Sequence, residues 1–328
     1  MNNLKFSIII PVKSINKYLR NNVTKIKKIN YQNWELIILI DSKENNIWQD
    51  KRIRLFPTGK ISPGRKRDIG SKFSTGNILV FLDDDSYPHK DLLRIANKEF
   101  ISQKIVAIGG PGITPEDECF FGRVSGSVFL SKYSGGNPDR YLPIGGKKKI
   151  DDWPSVNFMI RKKIFDRIGG FNTNFWPGED TYLCWKILKN IKGIILYHPK
   201  MIVYHYRRSN ILSHLKQVKN YAQHRGHFAK IYPETSRKFF YFLPSFFISW
   251  IFLFLISLLF EFTIIKFIFF SGIIFYLCVL FKSIIDIKKY ESYLVCFFSI
   301  PYILLTHCSY GIYFLIGFLK KNLRSKLV

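Results

Sequence analysis

Short, unbroken apolar runs open the chain, and polar stretches of helical length separate them. The first run is Phe6 to Val12, ended by Pro11 and Lys13. The second is WELIILID, Trp34 to Asp41, and the third NILVFLDDD, Asn77 to Asp85. Continuous Ile, Leu and Val without alternation predict strands covered on both faces, hence a parallel α/β sheet. Helix-compatible stretches lie between them, Asn16 to Ile29 and Gly64 to Phe73. Strand, helix, strand, helix, strand is the opening of a doubly wound, Rossmann-like nucleotide-binding fold. The first run lacks a long apolar core followed by small residues, so it reads as a strand and not as a secretory signal.

The pattern then loosens. Gly109 to Lys149 is rich in Gly, Pro and Ser and predicts loops around a cleft. A helix is expected over Arg161 to Ile168, closed by Gly169-Gly170, and another after Gly178, through TYLCWKILKN. Asn210 to Ile231 is basic and amphipathic, with His214, Gln217, Tyr221 and His224 among apolar positions, as in a helix lying on a membrane surface.

At Phe239 the character changes. Phe239 to Phe260 carries no charge and is long enough to span a bilayer. Glu261 interrupts. Phe262 to Phe281 follows, with Lys266 placed to snorkel, then a charged stretch from Ser283 to Glu291, then the uncharged Leu294 to Leu319. Three such runs in succession predict membrane segments over 239–260, 262–281 and 294–319, within a membrane region 236–328 behind a catalytic region 1–235. The excess of Lys and Arg on cytoplasmic loops favours Lys288, Lys289, Lys320, Lys321, Arg324 and Lys326 on the same side as the basic N-terminal domain. Two crossings satisfy the first pair; a third full crossing sends the C-terminal cations across. Either the rule is broken or Leu294–Leu319 is a re-entrant or interfacial hairpin, which Pro301 and Gly311 favour.

Charge sharpens this picture. Over 328 residues, Lys plus Arg number 50 and Asp plus Glu 23, so the net charge is 50 − 23 = +27. An aromatic content of 17% excludes a wholly disordered chain, and the five cysteines, with no CxxC pair, exclude a disulfide scaffold or thiolate metal cluster. The basic excess suits a solvated surface, an anionic membrane or an anionic substrate. No helix-turn-helix, zinc-finger or RNP pattern points to nucleic acid.

The candidate chemistry gathers at strand ends. Asp83-Asp84-Asp85 places three carboxylates after an apolar strand. A divalent cation relieves their repulsion, and hard oxygen ligands suit Mg²⁺ or Mn²⁺. An acidic turn capping the next helix is the bland alternative. Glu179-Asp180, in WPGEDT, offers either a base facing a cleft or plain complementarity to a helix N-terminus. Asp41 ends the second strand, where it accepts a hydrogen bond from a nucleotide base or ribose, or merely closes a turn. SPGRKRDIG, Ser62 to Gly70, puts Pro, Gly and three cations at a helix start. That arrangement suits a diphosphate.

Together these segments resemble a membrane-attached family 2 glycosyltransferase with a GT-A fold. SIIIPVK, WELIILIDS, SPGRKRDIGSKFSTGNILVFLDDD, VNFMIRKKIFDRIGGFNTNF and WPGEDTYLCWKI match in order and spacing over residues 5 to about 235. The resemblance implies metal-binding by Asp83 and Asp85, with Asp84 on the ribose or near the metal. It implies base recognition by Asp41 with the Pro11-Val12 region, and places Arg67 and Asp68 where the family carries an Arg-Asn pair. Asp180 becomes the general base, and Glu179 orients or binds the acceptor. His205 in VYHYRR either completes the metal shell, with Arg207 and Arg208 holding the diphosphate, or packs at a strand end. Asp152 and Trp153 either line the acceptor pocket, Trp153 stacking on a sugar, or form a surface loop; Trp176 is a further acceptor-side residue. Two departures stand out. Asp41 is followed by Ser42 where many members carry a second acid, and Gln-x-x-Arg-Trp of the processive synthases is missing. The implied reaction is an inverting, metal-dependent transfer from a UDP-, GDP- or dTDP-sugar to a lipid-linked glycan or glycolipid in cell-surface polysaccharide synthesis, at the cytoplasmic face of the cell membrane. Polyprenyl phosphate is the alternative acceptor, and a non-enzymatic glycan-export component the alternative class.

Overall fold

The apolar runs are buried strands in a computed structural model of the protein, which describes residues 3–259 and 263–323, with the side chains of 263–266 left aside. Glu261, Arg324, Lys326 and the side chain of Lys266 lie outside the described residues. In chain order the first elements are β1 (Phe6–Pro11), α1 (Lys17–Ile26), β2 (Trp34–Ile40), β3 (Ile53–Pro57), α2 (Pro63–Phe73), β4 (Ile78–Phe81), β5 (Ser86–Pro88), α3 (Leu92–Glu99), β6 (Ile105–Gly109) and β7 (Gly112–Ile113). After them come α4 (Phe120–Ser127), β8 (Lys148–Lys149), β9 (Phe158–Arg161), α5 (Lys162–Arg167), α6 (Glu179–Asn190), β10 (Ile194–Tyr197) and β11 (Val203–His205). Helices then take over: α7 (Ile211–Ile231), α8 (Pro233–Ser236), α9 (Phe239–Ser257), α10 (Thr263–Lys288) and α11 (Tyr293–Leu319).

Two compact units share this chain. One holds Met1–Pro115 and Asp139–Tyr206, the other Glu116–Pro138 and Arg207–Leu323. The second therefore takes in residues 116–138, which the sequence pattern had left with the catalytic region.

In the first unit an eight-stranded sheet has the order β3-β2-β1-β4-β9-β6-β10-β8. Every residue of β1, β2 and β4 is buried. Alternate side chains feed two cores. Ile8, Ile10, Leu36 and Ile38 pack with Leu19 and Val23 of α1, while Ile9, Ile37 and Phe81 pack with Phe165, Phe171 and Ile187. The sheet is mixed, not wholly parallel as expected, because β9 runs antiparallel to both β4 and β6. A smaller sheet, β5-β11-β7, sits after β4 in the chain and pairs His205 with Ser86. Helix starts follow local chemistry: Asn16 caps α1 through Leu19 N–H, and Ser62 caps α2, with Pro63 in its first turn.

The second unit is helical. Phe239–Ser257, Phe267–Lys288 and Tyr293–Leu319 are long and apolar enough to cross a membrane. The expected hairpin in the last of these is not present. One helix runs through both Pro301 and Gly311: Gly311 packs against the Pro244 carbonyl and Ile248 of α9, while Pro301 is exposed within the helix. The expectation for α7 also changes. Its face His214, Val218, Ala222 and Ala229 is buried, and it turns to α11, not to lipid. Glycines set that approach: a Cβ on Gly226 would run into the Phe314 carbonyl, and one on Gly317 into that of Gln223. Gly226→Val is expected to cost about 1–3 kcal/mol through overpacking, read as a lowered unfolding midpoint in detergent.

His214 is buried between Ser125 Oγ, 2.8 Å from Nδ1, and Thr306 Oγ1, 2.8 Å from Nε2. Burial holds its pKa down at about 4. The unfolded chain, with an ordinary imidazole near 6.5, then binds the proton first. Stability from this site is complete above pH ~6.5 and falls as pH drops toward about 4. His214→Gln should flatten the fall of the thermal midpoint over that window.

Candidate active site

The carboxyl ends of β1, β2 and β4 collect the chemistry of the first unit, as expected for a sheet of this type. Asp83 and Asp85 follow β4, and His205 ends β11. One ligand atom from each lies within 4.8 Å of the others. His205 Nε2 is 3.2 Å from Asp85 Oδ1. Two carboxylate oxygens and an imidazole nitrogen, each half-buried, form a donor set that fits Mg²⁺ or Mn²⁺. The middle carboxylate is held apart. Asn16 donates to Asp84 Oδ2 at 2.6 Å, and burial together with the Asp85 charge raises Asp84 to about pKa 6. Asn22 braces the same turn by donating to the Asp83 carbonyl at 3.2 Å.

The cations of SPGRKRDIG are engaged within the protein. Arg65 donates to Asn174 Oδ1. Lys66 is buried and binds the Asp41 carboxylate, with its ammonium also 2.5 Å from the Val12 carbonyl and 3.5 Å from that of Leu39. It ties the ends of β1 and β2 together beside Pro11. Arg67, only 2% exposed, donates to Asp83 Oδ1 at 2.5 Å and lies 3.3 Å from Glu179 Oε1. Lys66 and Arg67 thus answer the site's own acids, Asp41, Asp83 and Glu179. Asp68 faces the other way and accepts from the backbone N–H groups of Phe171 (2.7 Å) and Asn172 (2.9 Å). Gly170, at φ +61, leaves room for it, since any Cβ there would meet that carboxylate.

Glu179 and Asp180 begin α6, and Gly178 enters it at φ 110, a conformation that favours glycine. Glu179 is buried, and burial first, then the neighbouring Asp180 charge, pushes its pKa up. Asp180 Oδ1 accepts from the N–H of Thr181. Arg67 thus joins Asp83, after β4, to Glu179 at the start of α6. Arg67→Met leaves the Asp83 carboxylate without its counter-charge and the buried Glu179 without its hydrogen-bond donor. A loss of about 3–5 kcal/mol is expected, measured as a shift in the unfolding midpoint.

Two acceptor-side expectations need correction. Trp153 is 1% exposed, fills the space that Gly109 leaves, and donates its indole N–H to the Gly110 carbonyl at 2.9 Å. It has no face for a sugar. Asp152 is buried too, paired with Arg140 at 2.9 Å and accepting from Thr181 Oγ1 at 2.9 Å. Trp176 is 37% exposed and presents a ring surface. Arg207 and Arg208 belong to the second unit. Sequence reading missed Asn16, although an Asn heading the helix after the first strand was a visible signal. It missed the bracing role of Lys66 as well, which burial alone reveals.

Comparison with known proteins follows the same lines. Residues 7–169 match the sequence model described as "Glycosyl transferase family 2". An uncharacterized glycosyltransferase of Haemophilus influenzae is 35% identical over 103 residues, covering 28% of this chain and 41% of that protein. The pre-mycofactocin glycosyltransferase of Mycobacterium tuberculosis is 22% identical over 218 residues, covering 62% of this chain and 43% of the relative. The chain thus spans less than half the length of these two relatives. Among solved structures, the mannosyltransferase PcManGT from Pyrobaculum calidifontis, in complex with GDP-Man and Mn²⁺, superposes with a TM-score of 0.55 at 15% identity, covering 97% of this chain and 87% of that one. GalNAc-T7 with UDP, GalNAc and Mn²⁺ gives 0.50 at 16% identity, covering 73% and 52%. At such identities the likeness is one of fold.

Proposed function

We propose that the protein, whose residues 7–169 match the family 2 glycosyl transferase model, is an inverting transferase moving a sugar from a nucleotide-diphosphate donor to a lipid-linked glycan or glycolipid. One observation carries this reading. Asp83, Asp85 and His205 converge at the end of β4, and Arg67 links Asp83 to the buried Glu179, which opens α6 beside the half-buried Asp180. Donor-side and acceptor-side chemistry are thereby held in one network.

The donor lies across the strand ends. Asp41, fixed by Lys66, keeps its second oxygen for an N–H of the base or a ribose hydroxyl, next to Pro11. Asp84, oriented by Asn16, takes the ribose in this reading. Asp83, Asp85 and His205 would hold a divalent cation, which would supply charge neutralisation for the diphosphate. Asp180 accepts the proton of the acceptor hydroxyl as that oxygen bonds to the anomeric carbon from the face opposite the leaving group. The carbon–oxygen bond to the diphosphate breaks, and its electron pair leaves with the nucleotide. Glu179, whose pKa is raised by burial, keeps its proton, which leaves Asp180 as the charged member of the pair. Three long apolar helices support an acceptor that is itself in the membrane, where confinement raises its effective concentration. The basic N-terminal region supports a cytoplasmic catalytic face.

A nucleotide panel tests the reading. Thermal stabilisation of the detergent-solubilised protein is measured with UDP, GDP, dTDP and CDP, each with and without Mn²⁺. Stabilisation by one of them, only with metal, is expected. Folded protein that responds to none would move the assignment to a non-catalytic membrane component.

A further inference from the structure

Composition marks α11 as a third membrane crossing, but its contacts within the helical unit say otherwise. α9 and α10 form an antiparallel hairpin. Phe254 packs on Phe269 with ring centroids 4.7 Å apart, and Phe247 on Tyr276 at 4.3 Å. Numbers rise along α10 as they fall along α9, so the start of α9 and the end of α10 share one end of the hairpin. α11 starts at that end, since residues 289–292 alone connect it to Lys288. It also finishes there. Phe318, beside its last residue, packs on Phe242 in the first turn of α9 at 6.1 Å, and Phe314 packs on the same ring at 4.8 Å.

A helix of 27 residues is about 40 Å long. Crossing a hydrocarbon core of about 30 Å would put its two ends at opposite ends of the hairpin. With both ends at one level, α11 must run across the hairpin axis. Its middle rests on the hairpin: His307 Nδ1 is 3.0 Å from Tyr276 Oη, and Ser245 Oγ donates to the Gly311 carbonyl at 3.0 Å. Another side lies along α7, through His214 to Thr306 and through the glycines at 226 and 317. The remaining face carries Leu294, Phe297, Leu304, Leu305, Ile312 and Leu319, all exposed. Cations frame it: Lys320 follows its last turn, its carbonyl bound by Lys230, and Lys288 lies over the ring of Tyr293 at its first.

We propose that α11 is an in-plane helix: its outer apolar face rests among the acyl chains of one leaflet, the chain crosses the membrane twice, and Lys320 returns to the side from which α9 enters. The occupant of that face is lipid, because the face continues the exposed apolar surface of the hairpin, and the flanking lysines sit where phosphate headgroups would be. All basic stretches then lie on one side, which removes the conflict that a third crossing creates. The inference is independent of the catalytic reading.

Sidedness tests it. Single cysteines are placed at Lys43, Leu259 and Lys321 of the full chain, with the unsubstituted protein as blank. Each is treated with a membrane-impermeant maleimide in sealed inverted and right-side-out vesicles. Lys321→Cys is expected to label from the same side as Lys43→Cys, and Leu259→Cys from the opposite side. Labelling of Lys321→Cys from the Leu259→Cys side overturns the proposal. Alkaline phosphatase fused after Leu259 or after Leu323 gives a second readout that needs no cysteine. Activity is expected only for the first fusion, and activity of both would equally overturn it.

Discussion

Asp180→Asn is expected to lower turnover by at least ~10²-fold, the lower end of what a positioned base contributes, while nucleotide binding stays intact. The substitution keeps the shape of the side chain and its acceptance of the Thr181 N–H, but the amide cannot take a proton. Glu179→Gln is the informative companion. Glu179 is buried with its pKa raised, so the neutral amide resembles its resting form, and the expected loss is much smaller. Single-turnover measurements with saturating donor separate the two variants. Near-normal turnover by Asp180→Asn would remove it from the base role, and an equal loss in both would make the pair a structural unit.

Asp85→Ala should abolish metal-dependent stabilisation by nucleotide and lower turnover by ~10³-fold or more, since Lewis-acid stabilisation of a leaving group is worth several kcal/mol. Geometry makes this prediction specific. Asp85 faces His205 at 3.2 Å, whereas Asp84 points to Asn16. Asp84→Ala therefore should keep the metal response and weaken nucleotide binding only modestly. Mn²⁺ titration followed by thermal shift reads both. Loss of the metal response in Asp84→Ala, with retention in Asp85→Ala, would reverse the assignment of the two carboxylates.

Strands β1, β2 and β4 were legible because burial on both faces leaves unbroken apolar runs, and the acids stood out because charge seldom ends such runs. β9 was not, since FMIR is a short segment after a Gly- and Pro-rich stretch, and its reversed direction depends on which strands it enters between. The cations near α2 were visible as charges, but their direction was not: Lys66 and Arg67 lie on the buried face, and only the fold shows that they answer Asp41, Asp83 and Glu179. Trp153 misled for a similar reason. A tryptophan after two acids looks like a sugar platform, but Gly109 opens a slot for it in the core. The long apolar helices of the tail were legible by composition, whereas the packing of α11 on α7 and α9 was not.

The second unit is assembled from two separated stretches of chain, and that limits how the protein can be handled. Arg123 is paired with Glu291 at 2.7 Å, Ser131 bonds Asp286 at 3.0 Å, and the Ser134 carbonyl lies 3.1 Å from His307 Nε2. Ending the polypeptide before Phe239 would delete those partners and uncover the apolar faces of α4 and α7 that α11 covers. Trimming the tail would therefore leave residues 116–138 and 207–238 of the second unit without the surface they pack against. Purification and crystallisation accordingly call for the second unit to be kept whole.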